Sequence, residues 1–466
     1  MMDSSGLLNS FLAAIQASLS VLLVIFYGGI AAWLNILTPD NTKAVSKICV
    51  RMFLPALLIT QIGSELHSGS AGRYAIVLLW AIVCHLVSFV FGIVAHLGFG
   101  MPDWTTAALM FNNTTSYPLL LIAALDETGI LSSLIVTDES TSAAIGRAKS
   151  YFLVFATVSS CLTFAVGPRL IDSEHAPEPV EDKDSSVTGV DELDHESEAG
   201  RDDGATERTR LLDHHDARST SIQFNEPYRH NSFFPSTRKP SASAPRANTS
   251  HHNRRPALMP KKRWASLSPR TQWWIVFISD FFNAPLLGAI IGAIIGLAPP
   301  LHRAFFSDTA DGGIFTAWLT ASLKSIGGLF VPLPVVVAGV SLYASMQGMK
   351  RNSGSQAANA KLPWLPVIFV LVIRFVLWPV LSIGVIYVLA SRTDVLGSDP
   401  MLWFTMMLMP TGPPAMKLIT LVQISDAADE EDETVISKLL TISYFISPIL
   451  SLTVVGSLKA SQACIN

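Results

Sequence analysis

Charge is scarce in this chain. Only 15% of its 466 residues are Asp, Glu, Lys or Arg, while 50% are hydrophobic; an ordinary soluble domain carries about 25% charged residues. The deficit deepens outside one central block, because most charges are concentrated there, and residues 4–39 hold none at all. Cysteine is also rare. Cys49, Cys84, Cys161 and Cys464 stand far apart, without CxxC or His pairing. That spacing excludes a disulfide framework and a thiolate metal site and reads as small buried hydrophobes. A net charge of -4 and the lack of a basic stripe with interleaved aromatics exclude a nucleic-acid partner. No metal-ligand spacing, nucleophile motif or phosphate loop is present, so neither an enzyme nor a cofactor is expected.

Long apolar runs take the place of charge. Uncharged stretches above about 18 residues are candidates to cross a bilayer. The first run is longer than the roughly 7–15-residue core of a signal sequence and follows no basic residue, so it is expected to stay as the first helix. Hydropathy gives five spans at about 8–37, 47–66, 74–99, 103–125 and 150–170. Five more follow at about 272–298, 316–345, 364–390, 400–425 and 435–458. Five is odd, so the second set enters the bilayer from the opposite side. The expectation is an all-α membrane protein of ten transmembrane helices in two inverted five-helix repeats, 1–170 and 271–466. Faint self-similarity agrees: Ser46 to Pro55 and Ser325 to Pro334 share spacing, and Pro102–Trp104 and Pro400–Trp403 open the fourth and ninth spans.

The block between, 171–270, is acidic first (Glu178, Glu181, Asp182, Asp184) and basic later (Arg254, Arg255, Lys261, Lys262, Arg263). With few apolar residues it cannot offset its ordering entropy and is expected to be disordered, a linker or a phosphorylated regulatory loop. Short-loop Lys and Arg residues are slightly more numerous on its side, which predicts a cytosolic loop and both termini away from the cytosol. Sugar on the acceptor Asn248 would reverse that topology. The stretch from Glu207 to Leu212 resembles an acidic dileucine sorting signal and keeps a vacuolar membrane in view, with the plasma membrane a further option.

Two spans cannot be continuous helices. The fourth carries Asn112, Asn113, Thr114, Thr115 and Ser116 in succession, then Pro118; the ninth carries Pro410, Thr411, Gly412, Pro413 and Pro414. Proline removes a backbone donor and clashes with the preceding turn. Open backbone at membrane depth is tolerated only against protein or a water-filled cavity. Paired breaks in opposed halves thus predict a binding site formed by Asn112, Asn113, Thr114, Pro118, Thr411, Pro413 and Pro414. Ionisable groups at such depth are functional candidates. Lys417 lies just past the second break, where it contacts a substrate anion or snorkels to the span's end. Arg374 sits mid-span as a supporting charge, partnered within the bundle or by a backbone carbonyl, and His85 is a packed histidine or a proton relay.

These residues resemble a family. "FNNTTSYPLLL", "PTGPPAMKLITLVQI" and "VSKICVRMFLPALLITQIG" are similar to the fourth, ninth and second helices of PIN-LIKES (PILS) proteins and their fungal relatives, in the auxin efflux carrier superfamily. The ninth-helix match ends in a Thr-x-x-Gln element, Thr420 and Gln423, which adds Gln423 to the site. The resemblance implies a scaffold of helices 1, 2, 6 and 7, through which a homodimer could form. Beside it stands a transport domain in which broken helices 4 and 9 cross. It also implies an organic anion typified by indole-3-acetate, moved at the endoplasmic reticulum membrane. Lys417 departs from the pattern, which usually has Asn there. Partners are therefore the lipid bilayer and a small organic anion. The competing expectation is a non-transporting membrane regulator or scaffold acting through the loop.

Overall fold

The computed structural model describes residues 4–136, 139–167, 170, 267–351, 363–418 and 430–465. The expected loop therefore lies almost wholly outside the described residues, as do Asn248, Glu207 to Leu212, Thr420 and Gln423. The first part of the chain forms α1 (Ser4–Trp33), α2 (Pro39–Ile48), α3 (Leu54–Glu65), α4 (Ala71–Ile93), α5 (Asp103–Met110), α6 (Ser116–Glu127) and α7 (Thr141–Ala165). After the block come α8 (Pro269–Phe281), α9 (Ala284–Leu297), α10 (Pro299–Phe306), α11 (Ala321–Gly328) and α12 (Leu333–Arg351). The chain continues with α13 (Trp364–Val372), α14 (Trp378–Arg392), α15 (Pro400–Leu408), α16 (Glu430–Phe445) and α17 (Leu450–Ile465). Among the described residues there are no strands, and the β contact present is one isolated bridge, Asn112 to Pro414.

Among the described residues, seven helices are long and apolar enough to cross a membrane: Leu8–Trp33, Asn41–Glu65, Ala71–Phe99, Thr141–Ala165, Thr316–Ala344, Trp364–Arg392 and Ser447–Ile465. Their outer faces are apolar and open. On α4, Leu79, Leu86 and Val90 are each more than half exposed, while Val77, Ala81 and His85 of the same helix are buried. Such a face is stable against lipid and costly against water. The chain is an integral membrane protein.

Three expected spans differ from the straight helices that hydropathy suggests. The sixth bends by 60° between α8 and α9. Pro285 offers no N–H to continue the ladder, and the Asn283 side chain caps the new start by accepting from the Leu286 N–H at 3.0 Å. The region expected at 435–458 divides at Ser447–Ile449, where Pro448 interrupts it, into α16 and α17. The fifth span begins at Thr141, nine residues before hydropathy places it, because Arg147 inside it is compensated by Glu139 and Asp399.

Close helix contacts rest on glycine. Gly288, Gly292 and Gly296 recur every fourth residue along one stripe of α9, and α3 lies against it. A Cβ on Gly292 would sit 2.9 Å from the Leu58 carbonyl oxygen, and one on Gly288 would sit 2.7 Å from the Pro55 Cα. On the other side Gly28 of α1 and Gly339 of α12 meet so closely that a Cβ on either would strike the facing backbone carbonyl, Val336 or Ile25. In lipid, where no hydrophobic force draws helices together, such small-residue stripes supply the contact.

Gly292→Leu is expected to cost more than about 3 kcal/mol, since backbone cannot move aside for it. Gly384→Leu, at a position with nothing within 4 Å, should be neutral. Size-exclusion profiles of the two detergent-solubilised variants check this: the first should aggregate and the second should run as the parent.

Candidate functional site

The two interrupted segments meet. α5 ends at Met110, and Phe111 to Thr115 run without helix before α6 starts at Ser116. α15 ends at Leu408, and its continuation passes through Gly412, whose φ of +103° suits glycine, before helical turns resume near Lys417. The open backbones pair with each other. The Asn113 N–H donates to the Pro413 carbonyl at 3.0 Å, and the Ala415 N–H donates to the Phe111 carbonyl at 2.9 Å. Each break thereby satisfies donors and acceptors that lipid could not.

Asn112 and Asn113 point to opposite sides of this crossing. Asn112 is buried, and its amide nitrogen donates to the Met409 and Thr411 carbonyls, both at 2.9 Å. It is a clasp across the two breaks. Asn113 is half-buried, and its Nδ2 donates to the Tyr444 hydroxyl of α16 at 2.8 Å. Tyr117 packs edge-on to Tyr444, ring centroids 6.3 Å apart, and Ser18 and Ser447 stand close to the Tyr117 hydroxyl. This amide, phenol and hydroxyl cluster escaped the sequence reading. The tyrosines sit in apolar helices whose faces only the three-dimensional packing reveals.

The other predicted residues fall around the same crossing. Thr114 is buried beside Asn113; Thr411 turns its hydroxyl back to the Leu408 carbonyl at 2.7 Å. Pro118 occupies the first turn of α6, where no helical N–H is required, so it shapes the break without opening a second one. Pro413 supplies its carbonyl and Pro414 forms the bridge with Asn112.

Arg374 is 1% exposed and has no carboxylate partner among the described residues. It donates to backbone instead: Nε and Nη2 to the Ala108 carbonyl at 3.3 Å, and Nη1 to the Pro410 carbonyl at 3.2 Å. Those carbonyls belong to the C-terminal ends of the two half-helices, where the helix dipole is negative and the last acceptors lack helical partners. One guanidinium thus ties both truncated ends together. Lys417 faces elsewhere, its Nζ 3.2 Å from the Ser160 hydroxyl of α7 and 5.6 Å from the Phe164 ring centroid.

A narrow crevice behind the crossing is lined by Cys84, His85, Ser88, Met110, Asn112, Phe155, Arg374 and Pro410. His85 Nδ1 donates to the Ala81 carbonyl at 2.7 Å, which leaves Nε2 as an acceptor with no partner among the described residues. A proton relay needs a second titrating group to pass to, and none of the other lining residues is a carboxylate or histidine.

At the far end of α15, Asp399 caps the helix by accepting from the Met401 and Leu402 N–H groups at 3.2 Å. It also binds Arg73 at 3.1 Å, Arg147 at 3.2 Å and the Tyr151 hydroxyl at 3.1 Å, so α4, α7 and α15 share one ionic hub.

A helical membrane protein whose core is two mutually paired, interrupted spans has the make-up of a transporter. The chain belongs to the membrane transport protein family, the auxin efflux carrier family, whose model matches residues 13–455. It is 23% identical over 434 residues to an uncharacterized transporter of Schizosaccharomyces pombe, covering 90% of this chain and 89% of that protein. It is also 30% identical over 172 residues to Protein PIN-LIKES 4 of Arabidopsis thaliana, 37% of each chain. Protein PIN-LIKES 5 of the same plant is 28% identical over 177 residues, 38% of this chain and 39% of that protein.

Asn112→Ala strands two buried carbonyls at about 1–3 kcal/mol each, whereas Asn113→Ala removes one bond to a phenol and a long one, 3.5 Å, from the Tyr117 N–H. Thermal unfolding of the purified variants should show a clear drop for Asn112→Ala and a small one for Asn113→Ala. Arg374→Met should lower the melting temperature at least as much as Asn112→Ala, because both half-helix ends lose their donor.

Proposed function

We propose that the chain is a secondary carrier for small organic anions, with ten spans arranged as two inverted five-span repeats, 1–170 and 271–466, around a cytosolic segment at 171–270. The observation that carries the reading is the backbone pairing of Phe111–Asn113 with Pro413–Ala415 between apolar half-helices. Such a crossing is the kind of irregular backbone that membrane proteins keep where a ligand is handled.

Helix pairing supports the repeat. α1 packs on α12 and α3 on α9, which are spans one on seven and two on six. Exchanging the halves converts one pair into the other, and it maps the fourth span onto the ninth, which pair together. The glycine-bound pairs form the scaffold, and the remaining spans, gathered around the crossing and the Asp399 hub, form the transport half. Alternating access follows from sliding or rocking one against the other.

Charge and shape set the substrate class. Arg374 and Lys417 put two cations beside the crossing, and no described carboxylate pairs with either. Asn113, with the Tyr117–Tyr444 pair beside it, suits the flat apolar body of an indole-type acid. The membrane is that of the endoplasmic reticulum, with both termini on its non-cytosolic side.

Uptake of radiolabelled organic acids into proteoliposomes tests the reading. Asn113→Ala combined with Lys417→Gln should reduce flux at least about ten-fold, the worth of one charge-assisted hydrogen bond, while the protein elutes as the parent. Flux equal to the parent's in that double variant refutes the assignment.

A further inference from the structure

The side of the crossing away from the tyrosines carries a second polar group. Lys417, half-buried, meets α7 at Ser160, its Nζ 3.2 Å from the hydroxyl. The next residue, Cys161, lies close enough to Lys417 to interact electrostatically and approaches Asn283 Oδ1 at 3.9 Å. Asn283 stands at the 60° bend between α8 and α9, in the half of the molecule bound by glycine to α3. Its carbonyl oxygen is used by the Leu286 N–H at 3.0 Å, but its Nδ2 is buried and bonds to nothing among the described residues.

The chemistry of these groups is one-sided. Lys417 offers N–H donors, Asn283 Nδ2 offers two more, and Ser160 offers a hydroxyl hydrogen once its oxygen is taken by the lysine. Donors do not bond each other. No carboxylate pairs with Lys417 among the described residues, and a half-buried ammonium without a counter-charge has lost part of its hydration with no ion in return. A lysine that reached only for water has no use for a second buried donor on the bend that α7 packs against. Shared between them, a single acceptor with a negative charge satisfies all three.

We propose that Lys417, Ser160 and Asn283 form a seat for a monovalent anionic group, shared between α7 and the segment after α15 on one side and the α8–α9 bend on the other. This deepens the organic-anion reading and rests on it for the identity of the anion as the substrate's carboxylate; chloride is the inorganic alternative of the same chemistry. Asn283 was not among the residues that the sequence marks. Because the bend belongs to the scaffold and Lys417 to the transport half, the seat is complete only while the two halves are in this relative position. Anion binding therefore favours this one conformation over others.

Thermal unfolding of the full-length purified protein tests the seat with named probes: benzoate, indole-3-acetate and chloride, each against the neutral benzamide at equal ionic strength. A ligand that binds only the native state raises the melting temperature. Carboxylates should stabilise the parent and the amide should not. Lys417→Gln should abolish the response, Lys417→Arg should restore much of it, and Asn283→Ala should weaken apparent affinity about ten-fold, the worth of one hydrogen bond to a charged group. A response to chloride equal to that to carboxylates assigns the seat to the inorganic ion. No anion-dependent difference between the parent and Lys417→Gln overturns the proposal, and so does an Asn283→Ala variant that responds like the parent. Liposome flux separates the two claims: organic-acid uptake insensitive to Asn283→Ala sinks the shared seat alone. Anion stabilisation without any organic-acid uptake sinks the carrier reading alone.

Discussion

Backbone groups that lipid cannot solvate govern this structure. A helix meets that demand internally, and a helix broken by proline does not. Here each broken span is completed by the other: Asn113 and Ala415 donate across the gap, Pro413 and Phe111 accept, and the Asn112 side chain collects two further carbonyls. Arg374 finishes the arrangement at the truncated ends of α5 and α15. Remove any one partner and another group is left buried without a bond. That mutual dependence explains why so many polar residues persist in a chain this poor in charge.

The molecule also separates two kinds of adhesion. α1 with α12 and α3 with α9 are held backbone to backbone along glycine stripes, a contact of high shape fidelity and little polarity. Around the crossing, adhesion is polar and directional: the amides of Asn112 and Asn113, the Arg374 fork and the Asp399 hub. The first kind of contact depends on shape alone, and the second on donors and acceptors that must each find a partner.

Part of this arrangement is legible in the sequence. The breaks were readable because proline, glycine and runs of Asn and Thr have local meaning. Partners were not readable. Asn112 bonds residues almost 300 positions away, Arg147 and Arg73 reach Asp399 across most of the chain, and hydropathy is blind to such pairings. Arg147 shows the cost: an arginine that pairs in place can lie inside a helix that hydropathy starts after it. The repeat of Gly288, Gly292 and Gly296 was visible as spacing but has meaning only once a facing helix is known. Pro448 carried the same signal as Pro118, and the division between α16 and α17 was there to be read.

Arg374 satisfies its guanidinium with peptide oxygens, and peptide oxygens carry no net charge. Its positive charge is met there only by the partial negative charges of two half-helix ends, at the centre of the protein, where the dielectric is low and screening is weak. A permselective membrane works on the same basis, through fixed charges of one sign that repel mobile ions of that sign. Arg374 is such a fixed charge, set where the two broken spans cross.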